Sequence, residues 1–252
     1  MYSHKKYPVC NGEKFFFSSI LWNELIKEWE LKDHEAEYIN RQQGFICKSC
    51  GNNLRSMALA RSIADHFSFN GTLKEFINIE KNKDLRILEI NEAGGFTPYL
   101  SKLSGHTFIK YPEHDMRNLM FTSKVFDLVI HSDTLEHVSD PVKGLSECRR
   151  VLKPGGTFFF TVPIVVGRMT RSRHNLPPSF HGSMSNEASD LLVKTEYGAD
   201  FWSHVFKAGF VSLSIFCLEY PSAMAIVAKK IVENNYHGFY RRTLYSQHRR
   251  RN

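Results

Sequence analysis

The chain is predicted to be an α/β protein: a doubly wound, mostly parallel sheet with helices on both faces and a terminal antiparallel strand pair. Three observations predict it. Short apolar runs alternate with helical patterns from residue 86 onward, and the run "RILEI" leads straight into the small-residue loop "NEAGG". Two β-rich runs, "VSLSIFCLE" and "AMAIVAKK", then follow one another with no helix between them.

In chain order, Leu21, Trp22, Leu25, Ile26 and Trp29 recur at three- and four-residue spacings, which predicts an amphipathic helix over 18–31. "FICKSCGNN" supplies a C-x-x-C knuckle, and "LRSMALARSIADHF" restores helical spacing through Leu54, Met57, Ala58 and Ile63. The polar stretch "NGTLKEFINIEKNKD" reads as a boundary between a knuckle-and-helix module at 1–72 and a main domain at 73–230. The main domain then runs through strand "RILEI", a helix near 96–103, strands "TFIK" and "FDLVIH", helix "DPVKGLSECRRVL", a "KPGG" turn and strand "TFFFTVP". A loop-rich stretch over 163–187 precedes the helix "ADFWSHVFKAGF" and the closing strand pair.

With 252 residues and 42% apolar content, the chain suits one sizeable core and a small accessory module. The longest apolar stretch, "GTFFFTVPIVVG", is interrupted by Pro163 and falls short of the ~20 residues that span a bilayer, so no transmembrane helix is expected. "FFFSSILW" lies between Glu13 and "NELIKEWE" and lacks a small-residue cleavage site, which argues against a secretory signal. The five cysteines, an odd number, point away from a disulfide framework and toward a reducing cytoplasm. Residues 229–252 hold seven Lys and Arg against Glu233, six of the net charge of +7, so the basicity belongs to a C-terminal tail, 231–252, and its approach. Such a tail suits anionic lipid, phosphate or an acidic partner, or is simply a solvated end.

Small or left-handed-tolerant residues stand at alternate positions of Glu89-Ile90-Asn91-Glu92-Ala93-Gly94-Gly95. This composition lets backbone approach a ligand beyond the strand end, or merely lets a strand turn tightly into a helix. Downstream, "HDMRNLMFTSKVFDLVIHSDTLEHVSDPVKGLSECRRVLKPGGTFFFTVP" carries D-x-x-x-L-x-F, then F-D-L-V, L-E-H-V-x-D-P and R-V-L-K-P-G-G. On these motifs, residues 85–220 resemble the class I S-adenosylmethionine-dependent methyltransferases of the type 11 group. The resemblance implies a Rossmann-like sheet and S-adenosylmethionine as cofactor. It also implies a shortened second and third strand region, because so few residues separate Lys110 from "FDLV".

The resemblance further implies residue roles. Glu89, Asn91, Ala93 and Gly95 would wrap the methionine and ribose, with Asn91 and Ala93 standing where the family has glycine. Asp115 and Met116 would flank the adenine, the Asp115 carboxylate accepting its exocyclic amine. His131, Ser132 and Asp133 would line the strand end near the sulfonium. Lys110 occupies the place of the ribose-binding acid, with Glu113 the nearest substitute. The N-terminal part resembles a zinc-knuckle module of the form C-P-x-C…C-x-x-C-G-S-x-x-R, with Tyr7 in place of its first cysteine. Two readings stay open there: Cys10, Cys47, Cys50 and His4 close a tetrahedral zinc site, or the site has decayed and apolar packing holds the module.

The expected function is methyl transfer to a small acceptor, with a sugar or nucleotide-sugar hydroxyl as the first expectation. That acceptor is suggested by the resemblance of the segment after "TFFFTVP" to substrate loops of polysaccharide-biosynthesis members. A hydroxyl needs its proton removed, and the candidate bases are His137 in "LEHV", then His181 and Asp133; His174 shares the loop with His181. Two other readings are a catalytically impaired binding or scaffold protein, favoured by the replaced glycines, and an RNA methyltransferase. The basic tail favours the latter, but no basic face interleaved with aromatics accompanies it.

Overall fold

The computed structural model describes residues 8–180 and 189–231. His4, His181 and the tail beyond 231 lie outside the described residues.

Strands Phe15–Phe17 (β1) and Phe45–Cys47 (β2) pair antiparallel and enclose helices Asn23–Glu28 (α1) and Asp33–Gly44 (α2). The helix expected over 18–31 is realised only as α1; Glu30, at φ 52°, adopts a left-handed conformation that ends it. Helix α2 was not expected, because its buried side mixes Glu35 and Gln42 with Ala36, Tyr38 and Ile39 and so interrupts the apolar period. Its first turn is closed by the Glu35 carboxylate, which accepts the Lys32 N–H at 2.9 Å.

Helix Leu54–His66 (α3) starts at Asn53, whose side-chain oxygen accepts the Ser56 N–H at 2.9 Å. Helix Leu73–Ile77 (α4) buries Leu73, Phe76 and Ile77 within the stretch that reads as a boundary in the sequence. Then come Ile87–Ile90 (β3), Thr97–Leu100 (α5), His106–Ile109 (β4), Phe126–Ser132 (β5), Pro141–Val151 (α6) and Leu152–Thr161 (β6). Helix α6 starts where the motif places Asp140, whose carboxylate accepts the Lys143 N–H. The expected "KPGG" turn is absorbed as an irregularity within β6, with Gly155 at φ 81°.

Ile164–Val165 (β7), Arg171–Ser172 (β8) and Thr195–Gly198 (β9) form a separate three-stranded sheet, followed by Trp202–Lys207 (α7), Ser212–Glu219 (β10) and Ala223–Lys229 (β11). The main sheet has the order β10-β11-β6-β5-β3-β4. Its β4, β3, β5 and β6 are parallel, whereas β11 runs antiparallel to both β6 and β10. β4 is the edge, and no strand intervenes between it and β5, so the region expected to be short is short.

Both faces are covered. Val129, Leu145, Cys148, Phe158 and Phe160 pack with α6 and α7 on one side. Ile87, Leu128, Ile130, Phe159 and Ala225 pack with Met57, Leu59 and Ile63 of α3 and Phe76 of α4 on the other. The latter cluster reaches Val9 and Cys47, so a line drawn after residue 72 crosses a shared apolar core. A third cluster joins Leu25, Trp29, Tyr38 and Ile39 of α1, α2 and their connection to Val165 of β7 and Val193.

Candidate active site

The loops after β3, β4 and β5 meet at the carboxyl ends of those parallel strands, where doubly wound sheets open a crevice. Asn91 ties the three together. At φ 55° its Nδ2 donates to Thr134 Oγ1 at 3.2 Å, and its Oδ1 accepts the Tyr111 N–H at 3.1 Å. A glycine would supply the backbone angle but neither hydrogen bond, a physical reason for asparagine here.

These loops line a cavity of about 580 Å³. Of the residues expected near a cofactor, Asn91, Asp115, Met116 and Ser132 line it, together with Asp133 and His137. Asp115 is engaged by Arg117, with Nη2 2.6 Å from Oδ2 and Nε 3.0 Å from Oδ1, and this pairing lowers its pKa. Lys110 and Glu113 are exposed and outside the lining; Tyr111 and His114 take that wall.

The remaining candidates stand behind the cavity. Glu89 is fully buried: Oε1 accepts from the Ala93 N–H at 2.9 Å and the Thr97 hydroxyl at 2.6 Å, and Oε2 lies 2.8 Å from His106 Nε2. It shapes the loop from inside, and Ala93 is buried with it. A Cβ on Gly94, at φ 125°, would sit 2.3 Å from Ser56 Oγ, and one on Gly95 3.0 Å from the Cys50 carbonyl oxygen. The glycine pair thus makes room for the knuckle and the first turn of α3 instead of facing the cavity. His131 is likewise a core residue. Its ring lies about 5 Å from those of Phe158 and Phe160, neither nitrogen has a hydrogen-bond partner among the described residues, and burial pushes its pKa down to about 3.

Asp133, at φ 41°, is a clasp. Oδ2 accepts from Gln43 Nε2 at 2.8 Å and from Arg55 Nη1, and Oδ1 accepts the Thr161 hydroxyl at 3.2 Å, joining α2, α3 and β6 at the end of β5. These three donors leave it poorly suited to take a proton. His137 Nδ1 lies 3.2 Å from the Leu192 carbonyl oxygen, so the neutral ring donates there and carries its lone pair on Nε2. Burial lowers the His137 pKa, and Nε2 lies 3.7 Å from Glu136 Oε1. Burial pushes Glu136 up to about 8 against the pull of nearby Arg55, and the same burial brings Arg55 down to about 10.

A second cavity, of about 390 Å³, shares Arg55, Asp133, His137 and Leu191 with the first. Leu21, Trp22, Leu25, Trp29, Leu31 and Ile39 make its walls, and Gln43 and Glu136 join the shared polar residues. Around it, fully buried Glu196 of β9 meets Arg168 at 2.8 Å, Arg171 at 2.7 Å and Arg173, while Arg173 Nη2 also reaches Glu28 of α1 at 2.9 Å. Trp29 Nε1 donates to Ser179 Oγ at 2.8 Å. The loop that follows β6 is thereby fastened over α1. His174 of that loop is exposed. Arg55, Gln43 and Glu136 were missed as site residues in the sequence; Arg55 and Glu136 lie inside quoted motifs, but only their burial at the junction distinguishes them.

Cys10, Cys47 and Cys50 have sulfurs within 4.8 Å of one another. Burial raises the Cys47 thiol, yet the backbone N–H groups of Ser49 and Cys50 and the neighbouring thiols bring it below its usual value. Burial, and next a hydrogen bond with Cys50, push Cys10 up to about 12. Three convergent sulfurs with N–H donors aimed at one of them fit the donor chemistry of a tetrahedral zinc.

Comparison with known proteins agrees with the motifs. Residues 86–160 match the protein family described as "Methyltransferase domain". A Mycolicibacterium smegmatis protein described as a "Probable S-adenosylmethionine-dependent methyltransferase" is 35% identical over 63 residues, 23% of this chain and 24% of that one. A "Ubiquinone biosynthesis O-methyltransferase" of Cereibacter sphaeroides is 40% identical over 48 residues, 19% of each chain. The chain thus matches a quarter or less of the length of these curated relatives. A solved SAM-dependent methyltransferase of Thermotoga maritima aligns at 15% identity over 70% of this chain and 90% of its own, with a TM-score of 0.39. Residues 86–160, which match that family, supply β3, β4, β5, α6 and most of β6.

Proposed function

We propose that the chain transfers the methyl group of S-adenosylmethionine to the hydroxyl of a small acceptor. The observation that carries this reading is the junction of two cavities at His137, Asp133 and Arg55, one at the strand ends and one beneath α1. In the first, Asn91, Ser132, Met116 and Asp115 would hold the cofactor, whose sulfonium supplies an electrophilic methyl group. Its volume lies within the ~300–1,000 Å³ of small-molecule sites, and its floor combines buried Met116 with the Asp115 carboxylate, a set suited to an adenine ring and its amine.

The chain's own work is alignment and proton removal. Holding two reactants at attack distance supplies roughly 7–11 kcal/mol of a barrier, and the walls of two adjoining cavities are suited to that task. Neutral His137 takes the hydroxyl proton on Nε2 while Nδ1–H stays fixed to Leu192. Glu136, whose Oε1 lies 3.7 Å from Nε2 and whose carboxyl keeps its proton near neutral pH, borders the ring on that side without taking part in the transfer.

A scaffold role is the second reading, favoured by the glycine pair turned toward the knuckle and away from the cavity. Thermal unfolding with S-adenosylmethionine separates the two: a raised midpoint supports the transferase, and no shift at millimolar ligand supports the scaffold. The proposal includes one structural zinc on Cys10, Cys47, Cys50 and a fourth group outside the described residues, expected at His4. It also includes action in the cytoplasm and a basic tail that meets anionic lipid, phosphate or an acidic partner. Among the described residues no helix is long and apolar enough to cross a membrane.

A further inference from the structure

The structure assigns the cavity beneath α1 to an apolar ring bearing one phenol-type hydroxyl at the His137 end. This inference rests on the transferase reading and puts a phenolic acceptor in place of the sugar hydroxyl expected on the loop resemblance.

The distribution of polarity carries it. Six apolar side chains, Leu21, Trp22, Leu25, Trp29, Leu31 and Ile39, form the body of the cavity. The polar groups Gln43, Arg55, Asp133, Glu136 and His137 belong to the end that opens on the strand-end cavity. Much of that polar set is already committed: Asp133 holds Gln43 and Arg55, and His137 Nδ1 is fixed to Leu192. Away from this end, the Trp29 N–H is taken by Ser179. A sugar presents hydroxyls around its whole ring, and each one buried against hydrocarbon without a partner costs about 1–3 kcal/mol. A ring with a single hydroxyl loses nothing against such walls and gains from the two indoles. The fastening of the loop over α1 by Glu196 and its arginines keeps these walls assembled.

Acid–base chemistry points the same way. Burial makes His137 a weaker base than free imidazole, so it serves a phenol, with a pKa near 10, better than an alcohol of much higher pKa. The phenolic oxygen forms its new bond to the methyl carbon, its proton passes to His137 Nε2, and the breaking carbon–sulfur bond leaves its electron pair on sulfur as a thioether.

The test uses the full chain and para-butylphenol, with methyl glucoside as the competing chemistry. Trp22 and Trp29 line the cavity and Trp202 does not, so binding is read as quenching of tryptophan emission, with and without S-adenosylhomocysteine. The expected result is saturable quenching by the phenol, none by the glucoside, and roughly tenfold weaker phenol binding in Leu21→Trp, which adds bulk to the cavity wall. Cofactor-product affinity in that variant should stay as in wild type. Ile20→Phe provides a second filled variant should Leu21→Trp fold poorly. Quenching by the glucoside alone, by neither probe, or by the phenol equally in the filled variants would overturn the inference. Failure to bind S-adenosylhomocysteine sinks the transferase reading instead, whatever the phenol does.

Discussion

Arg55 of α3 and Asp133 at the end of β5 form an ion pair that is largely buried, and it stands at the boundary between the two cavities. Through it, the knuckle-bearing N-terminal segment contributes to the walls of both cavities. Asp133 is held in a left-handed conformation with donors from α2, α3 and β6.

Breaking that pair leaves a carboxylate with reduced neutralisation in a poorly solvated place. Arg55→Ala is expected to cost about 3–5 kcal/mol, the usual penalty for removing one partner of a buried pair. Urea unfolding measures it, and a loss below about 1 kcal/mol would mean that the pair is solvated in practice.

Glu136 makes stability depend on pH with a definite sign. Its folded pKa, about 8, lies above the ordinary carboxyl value, so over that window the folded state keeps a proton that the unfolded chain has lost. Its contribution is therefore fully present below the unfolded value and lost as pH rises toward 8. Glu136→Gln should flatten this part of the stability profile, and an unchanged slope would place the titration elsewhere.

His131 acts in the opposite direction. With a folded pKa near 3 it is neutral where the unfolded imidazole is charged, so stability falls as pH drops below about 6.5. His131→Phe, in a site already flanked by Phe158 and Phe160, should raise the thermal midpoint, more at pH 5 than at pH 8. A fall in cofactor affinity without loss of stability would return His131 to the site.

The parts of the fold that were legible are those whose signal is local. Strands β3 and β5 are short apolar runs, α6 announces itself by Asp140 and Pro141, and the strand pair β10–β11 has no helix between its members. Of the residues that the motifs point to, Asn91, Asp115, Met116, Ser132, Asp133 and His137 come together around the strand-end cavity. The motifs do not reveal a residue's surroundings where the decisive neighbour is distant in sequence. Gly94 and Gly95 owe their identity to Ser56 and Cys50, some forty residues earlier. His131 lies on a strand buried on both faces, so alternation gives no clue to which side meets a ligand. Helix α2 hides behind buried Glu35 and Gln42.

Metal content tests the knuckle. The purified chain should carry one zinc, and chelation should destabilise it, because a structural zinc contributes folding free energy. Less than about 0.2 zinc per chain, with stability indifferent to chelator, supports packing alone.

Proton removal by His137, as proposed, has a kinetic signature. His137→Ala should lower turnover by about 10²- to 10⁴-fold with cofactor affinity retained. In the wild type the rate should rise with pH through a pKa below 6.5, because only the neutral ring takes a proton and burial favours that form. A variant that loses stability and cofactor binding together would assign His137 to packing.

The most direct test of the central claim, that the strand-end cavity holds the cofactor, is calorimetric titration of S-adenosylhomocysteine into the wild type and Asp115→Ala. A one-to-one isotherm is expected, weakened in the variant by about 1.5–3 kcal/mol, the worth of a hydrogen bond to a charged acceptor. No heat in the wild type, or equal affinity in both proteins, would contradict the claim.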